Sequence, residues 1–229
     1  MKSILKLGLV LLATAIPQVA GAREYVSPKF RPRERPVRKV LVLPPQVQMT
    51  KDGMKGQEGM AKESEQMAEQ IMALIVKQLE GRNVRVMPNP FTEEALKNDE
   101  ELQAALLKIQ NKYDTISTQL HSKPKDVRKA RYTIGDEVAT LGPAAEADAI
   151  VFIRGSGSVL TGGKKAFGLL VQGHFGNTIR TFVSFADSRS GDILAIVDFQ
   201  KGGDFQKNSE KIMSKTLTNS FKKIPFSTE

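Results

Sequence analysis

The sequence predicts an α/β fold: a single mixed β-sheet covered by helices, with an additional heptad-like helix laid alongside. Three observations carry this prediction. Val40-Leu41-Val42-Leu43 and Ala149-Ile150-Val151-Phe152-Ile153 are continuous apolar runs, too short for helices and suited to strands buried on both faces. Between them, Ala68, Ile71, Met72, Ile75 and Leu79 recur with helical spacing. Later, Ile179, Thr181, Val183 and Phe185 alternate with other residues, as a strand with one face on a core requires.

At the start of the chain, Lys2 and Lys6 precede the apolar run Leu7 to Ile16, and Ala20-Gly21-Ala22 follows. A charged segment, an apolar segment of this length and small residues at a cleavage position are the marks of a secretory signal peptide over residues 1–22. The run is too short for a transmembrane helix, which takes roughly 20 apolar residues. About 207 residues then remain, enough for one sizeable core. The chain has no cysteine, so disulfides, thiolate metal sites, cysteine nucleophiles and lipid attachment through a thiol are all excluded. The expected location is exported, periplasmic or at the outer membrane, and not as a lipoprotein.

Residues 23–36 form a basic, proline-rich arm, followed by one α/β domain over 37–225. Arg23 to Lys39 hold seven cationic and two anionic side chains, a large share of the formal net charge of +9. Pro28, Pro32 and Pro36 leave this arm little to pack with, so a solvated arm is expected. An exported protein rarely meets nucleic acid. Arg31, Arg33, Arg35, Arg38 and Lys39 are therefore candidate contacts to an anionic membrane surface or envelope polymer.

After the first strand, Pro44-Pro45 opens a loop over Gln46 to Met60 with three glycines and few apolar residues. Met49, Met54 and Met60 within it raise a Cu(I) thioether site as a minor alternative to gap-filling in the core. A helix follows over Ala61 to Leu79, stopped by Gly81. Val84 to Met87 returns as a second strand, parallel to the first in a βαβ unit. Thr92 caps a short helix over Glu93 to Lys97. The segment 98–141 is read as helical. Its first part, opened by Asn98 or Asp99, carries a heptad-like seam of Leu102, Leu106, Ile109, Tyr113, Ile116 and Leu120. The second part runs from Ser122 to Leu141, with a break near Tyr132 to Gly135. The seam is either laid on the domain or docks a partner, with Leu102, Leu106, Ile109 and Tyr113 the contact candidates.

The strand Ala147 to Arg154 leads into a glycine-rich apolar loop over 155–176, around Phe167, Leu169 and Leu170. Those three residues are candidates for contact with a partner or a membrane. Thr178 to Ala186 and Ile193 to Phe199 form an antiparallel hairpin about the turn Asp187 to Asp192, with Ile193, Ala195, Val197 and Phe199 on one face. A last helix covers Ser209 to Phe221.

No catalytic constellation emerges. Gly162-Gly163-Lys164 fails the phosphate-loop pattern, because the leading glycine is Ser158 and the hydroxyl position is Lys165. His121 and His174 are read as surface or loop residues with no ligand partner at metal spacing. No enzyme activity, cofactor or metal is expected.

The order K-V-L-V-L-P-P at Lys39 to Pro45, then A-D-A-I-V-F at Ala147 to Phe152, then the D-x-x-x-G-D-I-L hairpin at Asp187 to Leu194 resembles a group of bacterial envelope proteins. That group shares the fold of the curli-secretion lipoprotein CsgG, the penicillin-binding-protein activator LpoB and the TolB N-terminal domain. The resemblance implies the fold and an envelope location. Partners are expected to be other envelope proteins or further copies of the chain, with the membrane surface as an alternative, and the role an accessory one in assembly.

Overall fold

Val40, Leu41, Val42 and Leu43 are each at most 3% exposed, as their unbroken apolar run requires. In the computed structural model, which describes residues 21–53, 56–160, 177–202 and 209–226, they belong to a single mixed eight-stranded sheet. The strands are β1 (Gly21–Val26), β2 (Lys39–Val42), β3 (Gln46–Gly53), β4 (Gly56–Gly59), β5 (Arg85–Val86), β6 (Ala149–Leu160), β7 (Thr178–Asp187) and β8 (Ile193–Gly202). The helices are α1 (Ala61–Glu80), α2 (Glu93–Asn98), α3 (Glu100–Ser122) and α4 (Ser209–Phe221). Strand order is β1-β8-β7-β6-β2-β5, with β3 beside the far half of β6 and β4 beside β3. Strands β5, β2, β3 and β6 run parallel where they pair, and β6-β7-β8-β1 is an antiparallel meander.

Alternation along the strands sends side chains to two separate layers. Val40, Val42, Val151, Ile153, Val183, Phe185, Val197 and Phe199 face α1 and α4. Leu41, Leu43, Ile150, Phe152, Phe182 and Ile196 face α3 and the segment after it. α1 docks through Met67, Ile71, Leu74, Ile75 and Leu79. Each such burial is favourable by about 1.5–3 kcal/mol, and this packing holds the helix where propensity alone leaves it marginal. The Thr92 and Asp99 side chains cap α2 and α3 by accepting from the Ala95 and Leu102 N–H groups, as the sequence indicates.

Several expectations are corrected. Gln46 to Met60 is a β3–β4 hairpin and not a loop. β6 has 12 residues, so it outruns β2 and offers a free parallel edge, which β3 takes from Gln46↔Arg154 to Asp52↔Leu160. Between Val42↔Val151 and Gln46↔Arg154, Leu43-Pro44-Pro45 carries one residue more than β6 does. The prolines therefore sit in a bulge and do not end the strand line. β3 looked unstructured because only its Val47 and Met49 side faces the core, while Gln46, Gln48 and Thr50 face the polar side. Met49 is 1% exposed. Met60 packs on the same core, so these two methionines fill space in the interior; Met54 lies outside the described residues.

Residues 155–160 belong to β6, which shortens the expected loop from its start. A Cβ at Gly157 would stand 2.6 Å from Met49 Sδ, so the glycine there admits the β3 side chain. Phe167, Leu169 and Leu170 lie outside the described residues. The second part of the 98–141 segment is not an α-helix. It consists of short 3-10 helices at Pro124–Lys129 and Asp136–Thr140, followed by a third at Gly142–Glu146. Gly135 at φ +94° separates the first two, while Val127, Ile134, Val138 and Leu141 still reach the core that set the helical spacing. In the hairpin, a register shift between Phe185 and Ala186 turns Ile193 to the α3 side, away from Ala195, Val197 and Phe199.

The basic arm is ordered and packed. Gly21–Val26 is an edge strand on β8, Tyr25, Phe30 and Val37 are buried, and Lys29 and Arg35 are ion-paired to Asp192 and Asp187 at the β7–β8 turn.

Candidate functional site

The outer edge of the β2–β3 line is covered by β5 only at Lys39 and Val40, and by β4 only from Thr50 onward. Between them the sheet edge is notched. A cleft of about 670 Å³ opens there, bordered by Ser64 and Glu65 of α1, Gln46 to Gln48 of β3, and Asp114, Ser117 and His121 of α3. Arg154 of β6 and Arg180 and Phe182 of β7 complete it.

Both arginines are held in place from behind. Arg154 Nε donates to Asp114 Oδ1 at 3.0 Å, and its guanidinium stands 5.0 Å over the Tyr113 ring. Tyr113 in turn stacks on Phe152 at 4.4 Å and shares a hydrogen bond with the Ser184 hydroxyl at 2.8 Å. Burial pushes its phenol up to about 12, so Tyr113 stays protonated. Arg180 makes a two-pronged contact with Asp198, through Nε at 3.0 Å and Nη2 at 2.8 Å, and lies 4.4 Å over Phe182. The bond to Asp198 is the main cause that raises its already high pKa.

His121 stacks on Phe182 with ring centres 3.7 Å apart. Burial, then the Arg180 charge, pushes its imidazole down to about 4, and it is neutral near pH 7. This differs from the surface role expected for it; His174 lies outside the described residues. The folded value lies below the ordinary 6.5. The unfolded chain therefore takes up the proton first as pH falls, and the stability contributed by the neutral ring is complete above about pH 6.5 and lost toward pH 4. The His121→Phe variant is expected to show a flatter fall in melting temperature across that window than the native chain. An unchanged slope contradicts the assignment.

The arrangement presents two fixed guanidinium–carboxylate pairs, side-chain amides and hydroxyls along a groove. It is suited to polar recognition, its opposite charges largely balanced. Among the described residues no group of His, Cys, Asp or Glu side chains converges as a metal site.

The residues singled out from sequence lie elsewhere. Leu106, Ile109 and Tyr113 are buried in the domain's own core and Leu102 packs against it, so the seam faces its own sheet. This corrects their reading as partner contacts: the sheet already covers that face. Arg31 pairs with Glu34 at 3.2 Å and Lys39 with Glu146 at 3.1 Å, Arg35 pairs with Asp187, the Arg38 N–H donates to Asp148 at 2.9 Å, and Arg33 is exposed. Sequence reasoning missed the cluster of Asp114, His121, Arg154, Arg180 and Asp198, whose members come from four elements with no shared spacing. It also missed Lys123, Lys125, Arg128, Lys129 and Arg131, visible as a charge run but overshadowed by the apolar spacing within it.

No helix of the described residues is long and apolar enough to cross a membrane. No protein-family model matches the chain, and no curated protein matches it. Among solved structures, the chain is similar to a PelC dodecamer from Paraburkholderia phytofirmans at 10% identity and a TM-score of 0.39, over 92% of this chain and 100% of that one. It is also similar to lipoprotein GNA1162 from Neisseria meningitidis at 13% identity and a TM-score of 0.39, over 81% of this chain and 97% of that one. At these identities no residue role carries across.

Proposed function

We propose that the chain is a non-catalytic, exported cell-envelope protein that acts by binding other envelope proteins or further copies of itself, an accessory role of the CsgG and LpoB kind. The leader pattern of Lys2, Lys6, Leu7 to Ile16 and Ala20-Gly21-Ala22 supports export. The observation that carries assembly is the open edge of β1. With the leader removed after Ala22, Arg23 to Val26 of this strand remain at the end of the sheet, and among the described residues no strand pairs with their outer side. The Ser27 N–H donates to Leu194 O at 2.8 Å. Alternation from Ser27 turns the N–H groups of Glu24 and Val26 away from β8, toward a strand that another chain would add.

Glu24→Pro removes one outward donor and leaves the β8 ladder intact, whereas Glu24→Gln removes only the ion pair to Lys223. The native chain is expected to form an assembly by light scattering. Glu24→Pro is expected to reduce its mass while Glu24→Gln does not. A monomeric native chain, or an assembly indifferent to Glu24→Pro, sinks the proposal.

A further inference from the structure

The 3-10 helix Pro124–Lys129 and its flanks carry Lys123, Lys125, Arg128, Lys129 and Arg131 against a single anion, Asp126. All five cations are exposed. The field they make is evident at Asp126, whose carboxyl is held below its ordinary range by the hydrogen bond from Lys129 and then by the charges of Lys129, Arg131 and Lys123.

Tertiary structure joins this segment to the basic arm. Thr133 bridges to Asp192, the Ile134 N–H donates to Gly191 O at 2.9 Å, and the Ile193 N–H donates to Tyr132 O at 3.0 Å. From the other side, Lys29 reaches Asp192 at 2.7 Å and Arg35 reaches Asp187. Arg128 also lies 5.5 Å over Tyr25 of β1, the strand from which the arm continues. Two basic segments some 90 residues apart in the chain thus meet at one turn, which itself adds the exposed Arg189.

Some cations elsewhere are ion-paired, Lys112 with Glu137, Arg154 with Asp114, Arg180 with Asp198 and Lys223 with Glu24. Lys51, Lys62 and Lys108, on separate elements, have no ion pair among the described residues. At this end Arg33, Lys123, Lys125, Arg131 and Arg189 have no ion pair among the described residues. Like charges gathered without counter-charges cost stability, and an anionic partner relieves that cost. The arm's Phe30 and Val37 are turned into the core, so contact here is made by charge and not by an inserted apolar side chain. The cations follow the Pro124–Lys129 helix over β1 and β8, from beside His121 to the β7–β8 turn. They continue into the shallow, open recess lined by Lys29, Arg31 and Arg35, so they spread over a broad exposed surface, which fits a flat partner.

We infer that the surface formed by Lys29 to Arg35, Arg189 and Lys123 to Arg131 docks on the anionic head groups of a phospholipid bilayer. This goes beyond the assembly reading and stands without it. The full chain binds vesicles of phosphatidylglycerol mixed with phosphatidylcholine, does not bind pure phosphatidylcholine, and is released by salt. The combined variant Lys123→Gln, Lys125→Gln, Arg131→Gln lowers the partition coefficient about a hundredfold, at roughly fivefold per charge. A control of equal charge loss on other elements, Lys51→Gln and Lys62→Gln near the β3–β4 hairpin together with Lys215→Gln on α4, leaves binding within about twofold, since these side chains are not part of the proposed surface.

Equal loss in the two variants shows a net-charge effect without a docking surface and overturns the inference. So does salt-insensitive or absent binding by the native chain. Preference for a soluble acidic polysaccharide such as polygalacturonate, strong enough to strip the chain from vesicles, assigns the surface to a polymer and overturns it as well. Circular dichroism of each variant verifies that the fold is retained.

Discussion

Replacing Ile109 by Asp is expected to abolish cooperative folding and not to release a partner from a folded domain. Ile109 is fully buried, in one cluster with Leu41, Leu43, Ile150 and Phe152. The substitution forfeits about 1.5–3 kcal/mol of burial and puts an unpaired carboxylate into an apolar layer, at a further cost of several kcal/mol. A domain of this size has about 5–15 kcal/mol of net stability in all, so little or none is left. Leu107, next in the chain and 51% exposed, provides the contrast, and Leu107→Asp should stay within about 0.5 kcal/mol of the native chain. Thermal unfolding followed by circular dichroism separates the two variants. A folded Ile109→Asp domain that merely loses an assembly would restore the seam as an interface.

Gly191→Ala carries the second large effect. Gly191 sits at φ +68°, and a Cβ on it would lie 2.1 Å from the carbonyl oxygen of Gly135 and 2.8 Å from the Gly135 nitrogen. Both obstacles are backbone, so no rotamer change relieves them. The turn is also tied on its own side: the Asp187 carboxylate accepts from the Arg189 and Ser190 N–H groups, and the Gly191 N–H donates to Asp187 O. Left-handed strain of about 1–2 kcal/mol and a forced displacement of similar size together predict a loss of about 2–4 kcal/mol in urea denaturation. Gly142→Ala meets nothing within 4 Å and should be near neutral. Equal midpoints for the two variants would mean that the contact between the 133–135 and 187–192 turns contributes little.

Element types were legible wherever the local pattern and the tertiary environment agreed. The β2 and β6 cores, α1, the two capped helices and the β7–β8 hairpin are of this kind, because burial on two faces, one stripe or one alternating face leaves its own period in the residues. β3 left only a faint trace. With one side polar and a proline pair before it, nothing local distinguishes it from a loop, and the edge that pairs it belongs to β6, over 100 residues later. The Ser122 to Leu141 stretch misled for the opposite reason: its apolar spacing reports contact with the core, which successive 3-10 turns satisfy as well as an α-helix does. The cleft was illegible in principle. Asp114 acquires meaning only against Arg154, and His121 only against Phe182 and Arg180.

By itself the sequence determined the class of fold, the buried strands at its centre, the leader-like start and the excess of positive charge, since composition and short-range periodicity are properties of the chain. Tertiary structure alone decided which face of α3 is occupied, that the arm is a strand and a strap, and that two remote basic segments form one surface. Charges act through space, and only folding sets the distances between residues far apart in the chain.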